Sequence, residues 1–146
     1  LIQPRQIALE AARAADQRKA TDIRVLDLRG RFVADFFVVA TVLNRHQGKA
    51  IAEDLLHQAK GMKLFRAKAE GMDDGTWILV DLGDVVVHLL DPEYRKFYDL
   101  EQLWGDTRKV AWRELKAARA RAKTKAALKA LTKGAKKKAR RAGPRR

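Results

Sequence analysis

An α/β fold, built as a mixed β-sheet with flanking helices, is predicted by three observations in this sequence. Two apolar runs rich in β-branched residues, Trp77–Leu82 and Val85–Leu90, are separated by Gly83-Asp84 alone. A two-residue loop with Gly first suits a type II′ hairpin. Phe36–Val42 is a continuous apolar run, as expected of a central strand covered on both faces. Between these lies a segment with Ile51, Ala52, Leu55, Leu56 and Ala59 at helical spacing, which makes a strand–helix–strand unit.

The elements follow in order. Gln3–Lys19 is Ala-rich with Pro4 near its start, and Ile7, Ala11, Ala14 and Ala15 form a narrow apolar stripe, so a helix packing one side on the domain is expected. Ile23–Leu28 alternates and reads as a strand broken by Arg29-Gly30-Arg31. Asn44 with Gln47 three residues later resembles a capping box, and Gly61 reads as the residue that ends that helix. Leu64–Ala69 alternates with Arg66 and Lys68 outward, as an edge strand does. Asp91-Pro92-Glu93 opens a short helix with Asp91 as cap. Tyr94, Phe97, Tyr98, Leu100, Leu103 and Trp104 supply aromatic and apolar weight there, before Gly105-Asp106 closes the domain.

The chain has 146 residues, 47% of them hydrophobic, enough to bury one core. No run approaches the roughly 18 consecutive apolar residues of a spanning helix, and the N-terminus has no signal-peptide apolar segment. Neither a membrane nor a secreted protein is expected. The lack of cysteine excludes disulfides, thiolate zinc sites and thiol catalysis, and fits a reducing compartment. The net charge of +14 is unevenly placed. Residues 1–108 hold 16 Lys/Arg against 17 Asp/Glu, whereas residues 109–146 hold 16 Lys/Arg against Glu114 alone. A near-neutral domain, 1–108, is followed by a Lys/Arg/Ala-rich basic tail, 109–146. In the tail Trp112, Leu115, Leu128 and Leu131 are too sparse for a packed face. Its composition favours solvated helix to about Leu131 and disorder from Gly134.

The hairpin carries the question of function. With a two-residue loop, Leu82 pairs with Val85, Val80 with Val87 and Ile78 with Leu89, so Ile78, Val80, Leu82, Val85, Val87 and Leu89 share one wholly apolar face. The other face carries Trp77, Leu79, Asp81, Val86, His88 and Leu90, apolar but with a carboxylate and an imidazole. Those two groups do not build an active site. His46, His57 and His88 lie far apart without metal-ligand spacing. Asp84 sits in the turn and Asp81 opposes Val86, so the carboxylates need not converge on a metal. Serine is absent, and no threonine is arranged with a histidine as a nucleophile needs. The sequence calls for no enzyme activity, metal or cofactor.

The residues Glu70-Gly71, Gly75, Trp77, Asp81-Leu82-Gly83-Asp84-Val85-Val86-Val87-His88, then Phe97-Tyr98-Asp99-Leu100-Glu101 and Leu103-Trp104, resemble the ribosomal silencing factor, or Iojap-like, family. Asp22-Ile23, Val25-Leu26-Asp27, Gly30, Ala34-Asp35 and Ile51-Ala52 extend the match upstream, so that it covers about residues 3–108. The chain departs from the family pattern at Phe32-Val33, where a small polar pair is usual, and at Val42 and His46, where Gly and Arg are usual. The resemblance implies a nucleotidyltransferase-like α/β sandwich without catalytic residues. It also implies binding to the large ribosomal subunit, at ribosomal protein fourteen on the intersubunit face, with steric exclusion of the small subunit and lowered translation under nutrient limitation. A bacterial cytoplasmic protein is expected, with an organellar member tied to large-subunit assembly as the other option. A homodimer off the ribosome stays open.

Binding of this kind needs a complementary surface with aromatic anchors. The residues expected to supply it are Trp77, Leu79, Asp81, Val86 and His88 on the mixed hairpin face, with Tyr98, Leu103 and Trp104 from the helix after it. The competing expectation for Trp77 and Trp104 is plain core under a covering helix. Lys133, Lys136, Lys137, Lys138, Arg140 and Arg141 are expected to add affinity for ribosomal RNA through the linked-site effect. General RNA binding driven by the tail is the alternative function.

Overall fold

The computed structural model describes residues 2–99, 102, 105, 107–113 and 124–133. The chain forms two compact units, residues 1–110 and 111–146. In the first, the order is α1 (Pro4–Gln17), β1 (Thr21–Asp27), β2 (Phe36–Thr41), α2 (Arg45–Gly61), β3 (Lys68–Glu70), β4 (Trp77–Asp81), β5 (Val85–Leu90), α3 (Pro92–Tyr98) and β6 (Arg108–Val110). The six strands form one mixed sheet in the order β3-β4-β5-β2-β1-β6. Only β2 and β5 run parallel; every other pair is antiparallel.

The hairpin register is the one that pairing arithmetic predicts, with Ile78 opposite Leu89, Val80 opposite Val87 and Asp81 opposite Val86. Gly83 takes φ +89 while Asp84 does not enter the left-handed region, which is the type II′ requirement. The Asp84 carbonyl then accepts from the amides of Asp35 (2.7 Å) and Phe36 (3.1 Å), which fastens the turn to the start of β2.

The two faces of the sheet are covered unequally. Ile78, Val80, Leu82, Val85, Val87 and Leu89 are all buried. α2 lies against them: a Cβ at Gly48 would stand 3.0 Å from Ile78 Cδ1. α1 packs beside α2 on the same side, against β1, β2 and β5, through buried Ile7, Ala8, Ala11, Ala12, Ala14 and Ala15. The opposite face has its own smaller cluster, Leu26, Leu28, Ala34, Phe37, Val39 and Leu90, onto which Trp77, Val86 and Tyr94 pack. α3 packs on that face through Tyr94 and sets Tyr98 against Trp77.

The helix ends show local chemistry at work. Asn44 Oδ1 accepts from the Gln47 amide (2.9 Å), and Gln47 Oε1 accepts from the Leu43 amide (2.7 Å), one residue before the cap. Asp91 caps α3 by accepting from the Tyr94 amide (2.8 Å), with Pro92 at the first helical position. Gly61, expected to end α2, is its last helical residue instead. The stop lies at Lys63 (φ +60), whose amide donates to the Lys60 carbonyl while the Leu64 amide donates to Ala59. These are the paired bonds of a Schellman motif, and α1 repeats them at Lys19 (φ +65) and Ala20. The motif consumes Leu64, so β3 is only Lys68–Glu70 and not the whole of 64–69.

At the other end, Arg108–Val110 adds an edge strand to β1, so the sheet runs past the boundary expected at residue 108. In the second unit, residues 124–133 are helical, with Leu128 and Leu131 exposed as solvated helix requires. Trp112 departs from its expected exposure and is 5% exposed. Leu115 and the stretch from Gly134, expected to be disordered, lie outside the described residues.

Lysine at a left-handed position is strained where glycine is not. Lys63→Gly is expected to raise the unfolding free energy by about 0.5–1 kcal/mol, read as a higher urea midpoint at unchanged slope.

Candidate functional site: an aromatic strip on the partly covered sheet face

The register places Trp77, Leu79 and Asp81 of β4 and Val86, His88 and Leu90 of β5 on one face, and the parallel pair Phe37–Val86 brings β2 into it. Of these, Leu90 and His88 are buried, whereas Trp77, Leu79, Asp81 and Val86 are half-buried. Tyr98 on α3 is 44% exposed. Leu103 and Trp104 lie outside the described residues.

The rings make a continuous strip. Phe32 meets Phe37 edge-on at 5.6 Å between centroids, and Phe37 meets His88 at 4.6 Å. His88 lies 6.0 Å from Trp77, and Trp77 lies 5.1 Å from Tyr98. Tyr98 stacks on Tyr94 at 5.7 Å and meets Phe97 edge-on at 5.0 Å. The strip thus crosses β2, β5 and β4 and ends on α3. Both of its ends are open to solvent: Phe97 is 81% exposed, Phe32 is 49% exposed, and Val33 beside it is 93% exposed. A shallow cleft of about 310 Å³ lies along α3, lined by Glu93, Tyr94, Phe97 and Tyr98.

α3 is held over this face by Arg95, itself buried. Its Nη1 donates to Thr41 Oγ1 (3.0 Å) and to the Asp22 carbonyl, and its Nη2 pairs with the Asp22 carboxylate at 3.4 Å. Asp22 sits at φ +46, where β1 departs from regular register, and that turn of backbone accompanies its carbonyl's contact with the guanidinium. Gly71 (φ +81) serves the other side of Trp77. A Cβ there would stand 2.2 Å from the Trp77 carbonyl oxygen, so only glycine lets the chain pass.

The two polar groups that the sequence singles out each hold a neighbour within the domain. Asp81 Oδ1 accepts from the Gly83 amide (2.8 Å), so the carboxylate braces the hairpin turn. The Trp77 indole N–H donates to His88 Nδ1 (3.2 Å). That bond assigns the neutral imidazole its proton at Nε2, which has no acceptor among the described residues. Burial lowers the His88 pKa to about 4. An imidazolium would also turn the Nδ1 acceptor into a second donor facing the indole N–H. His88 is therefore a neutral, buried spacer between two rings, not a general base. Among the described residues no group of three or more His, Asp or Glu is placed to hold a metal ion. What this arrangement can do is present rigid aromatic area to a partner.

Residues that the sequence reading passed over complete the strip. Phe37 lies in a continuous apolar run, and its alternation with Phe36, set against the hairpin register, is the signal that assigns its face. Phe32 lies in a loop where no periodicity assigns it a face. Tyr94 and Phe97 counted as aromatic weight without a face, because a helix of seven residues has too little periodicity to orient them.

The family model described as "Ribosomal silencing factor during starvation" matches residues 2–140. The Bacillus subtilis protein "Ribosomal silencing factor RsfS" is 44% identical over 97 residues, covering 66% of this chain and 82% of the relative. The maize "Protein Iojap, chloroplastic" is 41% identical over 102 residues, covering 68% of this chain and 43% of the relative. A crystal structure of a protein from Chromobacterium violaceum superposes with a TM-score of 0.67 at 35% identity, covering 71% of this chain and 88% of the other. The family match reaches residue 140, well past the 108 expected from the motifs.

His88 also makes stability pH-dependent with a definite sign. Its folded pKa lies below the unfolded value of about 6.5, so only the unfolded chain takes up the proton as pH falls from there toward 4. Its contribution is complete above about pH 6.5 and is lost on acidification, by about 2 kcal/mol at pH 5. Urea titrations at pH 7.5 and 5 should show His88→Gln losing less stability between the two than the parent chain does.

Proposed function

The chain belongs to the ribosomal silencing factor family, and from that premise we propose that it binds the large ribosomal subunit at ribosomal protein fourteen and blocks docking of the small subunit by its bulk. Ribosome silencing is the family's role, and repression of translation follows from it. Nutrient limitation is the condition in which the block acts, and the bacterial cytoplasm is its compartment.

The observation that carries this reading is the aromatic strip. Two long helices cover one sheet face and, among the described residues, the short α3 is the helix on the other, where Phe97, Tyr98, Phe32 and half-buried Trp77 are presented together. Interfaces concentrate their energy in such rings, surrounded by weaker polar contacts. Trp77 is the central anchor, with Leu79, Val86 and Tyr98 around it. His88 and Asp81 act from behind, the first by seating the indole and the second by bracing the turn. Leu103 and Trp104 belong to the same proposed surface.

The basic tail adds RNA affinity beside that contact. Lys133 is exposed at the end of the helical segment 124–133; Lys136, Lys137, Lys138, Arg140 and Arg141 lie outside the described residues. With all six changed to Gln, binding to large subunits should persist, while the log–log salt slope becomes shallower by roughly 4 to 5 if each meets a phosphate. Loss of all binding would instead favour general RNA binding by the tail.

Sedimentation of purified subunits tests the main reading. Saturating protein should move the large subunit away from the 70S-type particle and leave it in a complex with this chain. Trp77→Ala should weaken that complex by about 2 kcal/mol or more, roughly 30-fold. Normal reassociation of subunits with the protein still bound would rule out the block.

A further inference from the structure

A second surface of the first unit lies at the end of β1, and its assignment to RNA rests on the RNA affinity proposed for the tail. At the end of β1 a cleft of about 370 Å³ is lined by Asp27, Arg29, Arg31 and Arg108, all of them charged. Arg29 is held in place from two sides. Its Nε and Nη2 fork onto the Asp27 carboxylate at 2.9 and 2.7 Å, and its guanidinium lies 5.4 Å over the Phe36 ring. Asp27 is itself largely buried, at 10% side-chain exposure, and its Oδ1 also accepts the Arg29 amide at 3.1 Å. The hydrogen bonds from Arg29 hold that carboxyl below its usual pKa, with Arg108 adding to the effect. Asp35 is a second, more distant carboxylate in the field of Arg29. Arg108 reaches the cleft because β6 pairs it directly with Asp27.

We propose that this cleft is a built anion site that takes a phosphate of an RNA backbone. The fork engages the Asp27 carboxylate through Nε and Nη2 and so orients Arg29, with Arg31 and Arg108 lining the same cleft. Guanidinium groups suit phosphate because their planar donors match its oxygens two at a time. A free mononucleotide would need a surface for its base. Among the described residues the cleft lining offers none, since the nearby Phe36 ring lies under Arg29. A polymer fits better, because the 16 Lys/Arg of residues 109–146 follow Arg108 directly in the chain. The site would fix one phosphate in register where the tail contributes only diffuse attraction.

The test uses the full chain and a short fluorescent RNA hairpin, followed by anisotropy across a series of KCl concentrations. Because it uses no ribosomal subunits, its outcome is separate from that of the docking reading. Arg31→Gln/Arg108→Gln should weaken binding roughly tenfold and make the salt slope shallower by 1 to 2. Arg29→Lys keeps the charge but loses the fork, and should weaken binding several-fold with the melting temperature little changed. The pair Lys49→Gln/Lys60→Gln, exposed on α2, removes the same charge elsewhere and should leave binding almost unaltered. Equal losses in the two double variants, or parent-like binding by Arg29→Lys, would reduce the cleft to general electrostatics and overturn the proposal. Millimolar inorganic phosphate should shift the Arg29 side-chain NMR signals and compete with the hairpin. A shift with no competition would make the cleft a small-anion site and overturn the RNA assignment.

Discussion

The two-residue turn at Gly83-Asp84 is the constraint on which the rest of this fold depends. Strand pairing has a period of two, so one added loop residue would exchange the faces of every side chain on one strand. With Gly83 at φ +89 and the Asp84 carbonyl bound by both Asp35 and Phe36, that slip is closed off. Six apolar side chains then face α1 and α2, while Trp77, Leu79, Val86 and His88 face the thinly covered side.

The same register explains why polar groups sit on an apolar face. Asp81 belongs to the turn, since its carboxylate accepts the Gly83 amide. His88 belongs to Trp77, since its Nδ1 accepts the indole N–H. Each fixes a neighbour within the fold. The strip gains rigidity from this arrangement, and preformed aromatic area costs little further entropy when a partner docks on it.

Much of this was readable from residues alone. The hairpin faces, the Asn44 and Asp91 caps and the central apolar strand all rest on local rules, and they hold. What escaped reading depends on tertiary partners. Arg108–Val110 has no alternation and becomes a strand only because β1 offers a free edge. α2 ends through a Schellman motif around Lys63 and not at Gly61, because the Lys63 and Leu64 amides find the Lys60 and Ala59 carbonyls. Trp77 could be assigned to a face but not to a depth. Tyr98 and His88 lie against its ring, and His88 is in turn met by Phe37, which lies far away in sequence. Phe32 sits in an irregular loop for which no periodicity exists.

The single parallel pair at the centre of the sheet also bears on how the protein acquires its aromatic face. β2 and β5 meet with Phe36 beside Val85, although the whole of α2, β3 and β4 intervenes. Closing so long a loop costs roughly 3 kcal/mol of chain entropy before any contact repays it, so this pairing belongs late in folding. The ring contact between Phe37 and His88 spans that very junction. A partly folded chain, with its hairpin and helices formed but the two halves of the sheet unjoined, would carry Trp77 and His88 without the Phe37 and Phe32 rings that continue the strip. On the docking proposed above, competence would then be tied to completion of the fold.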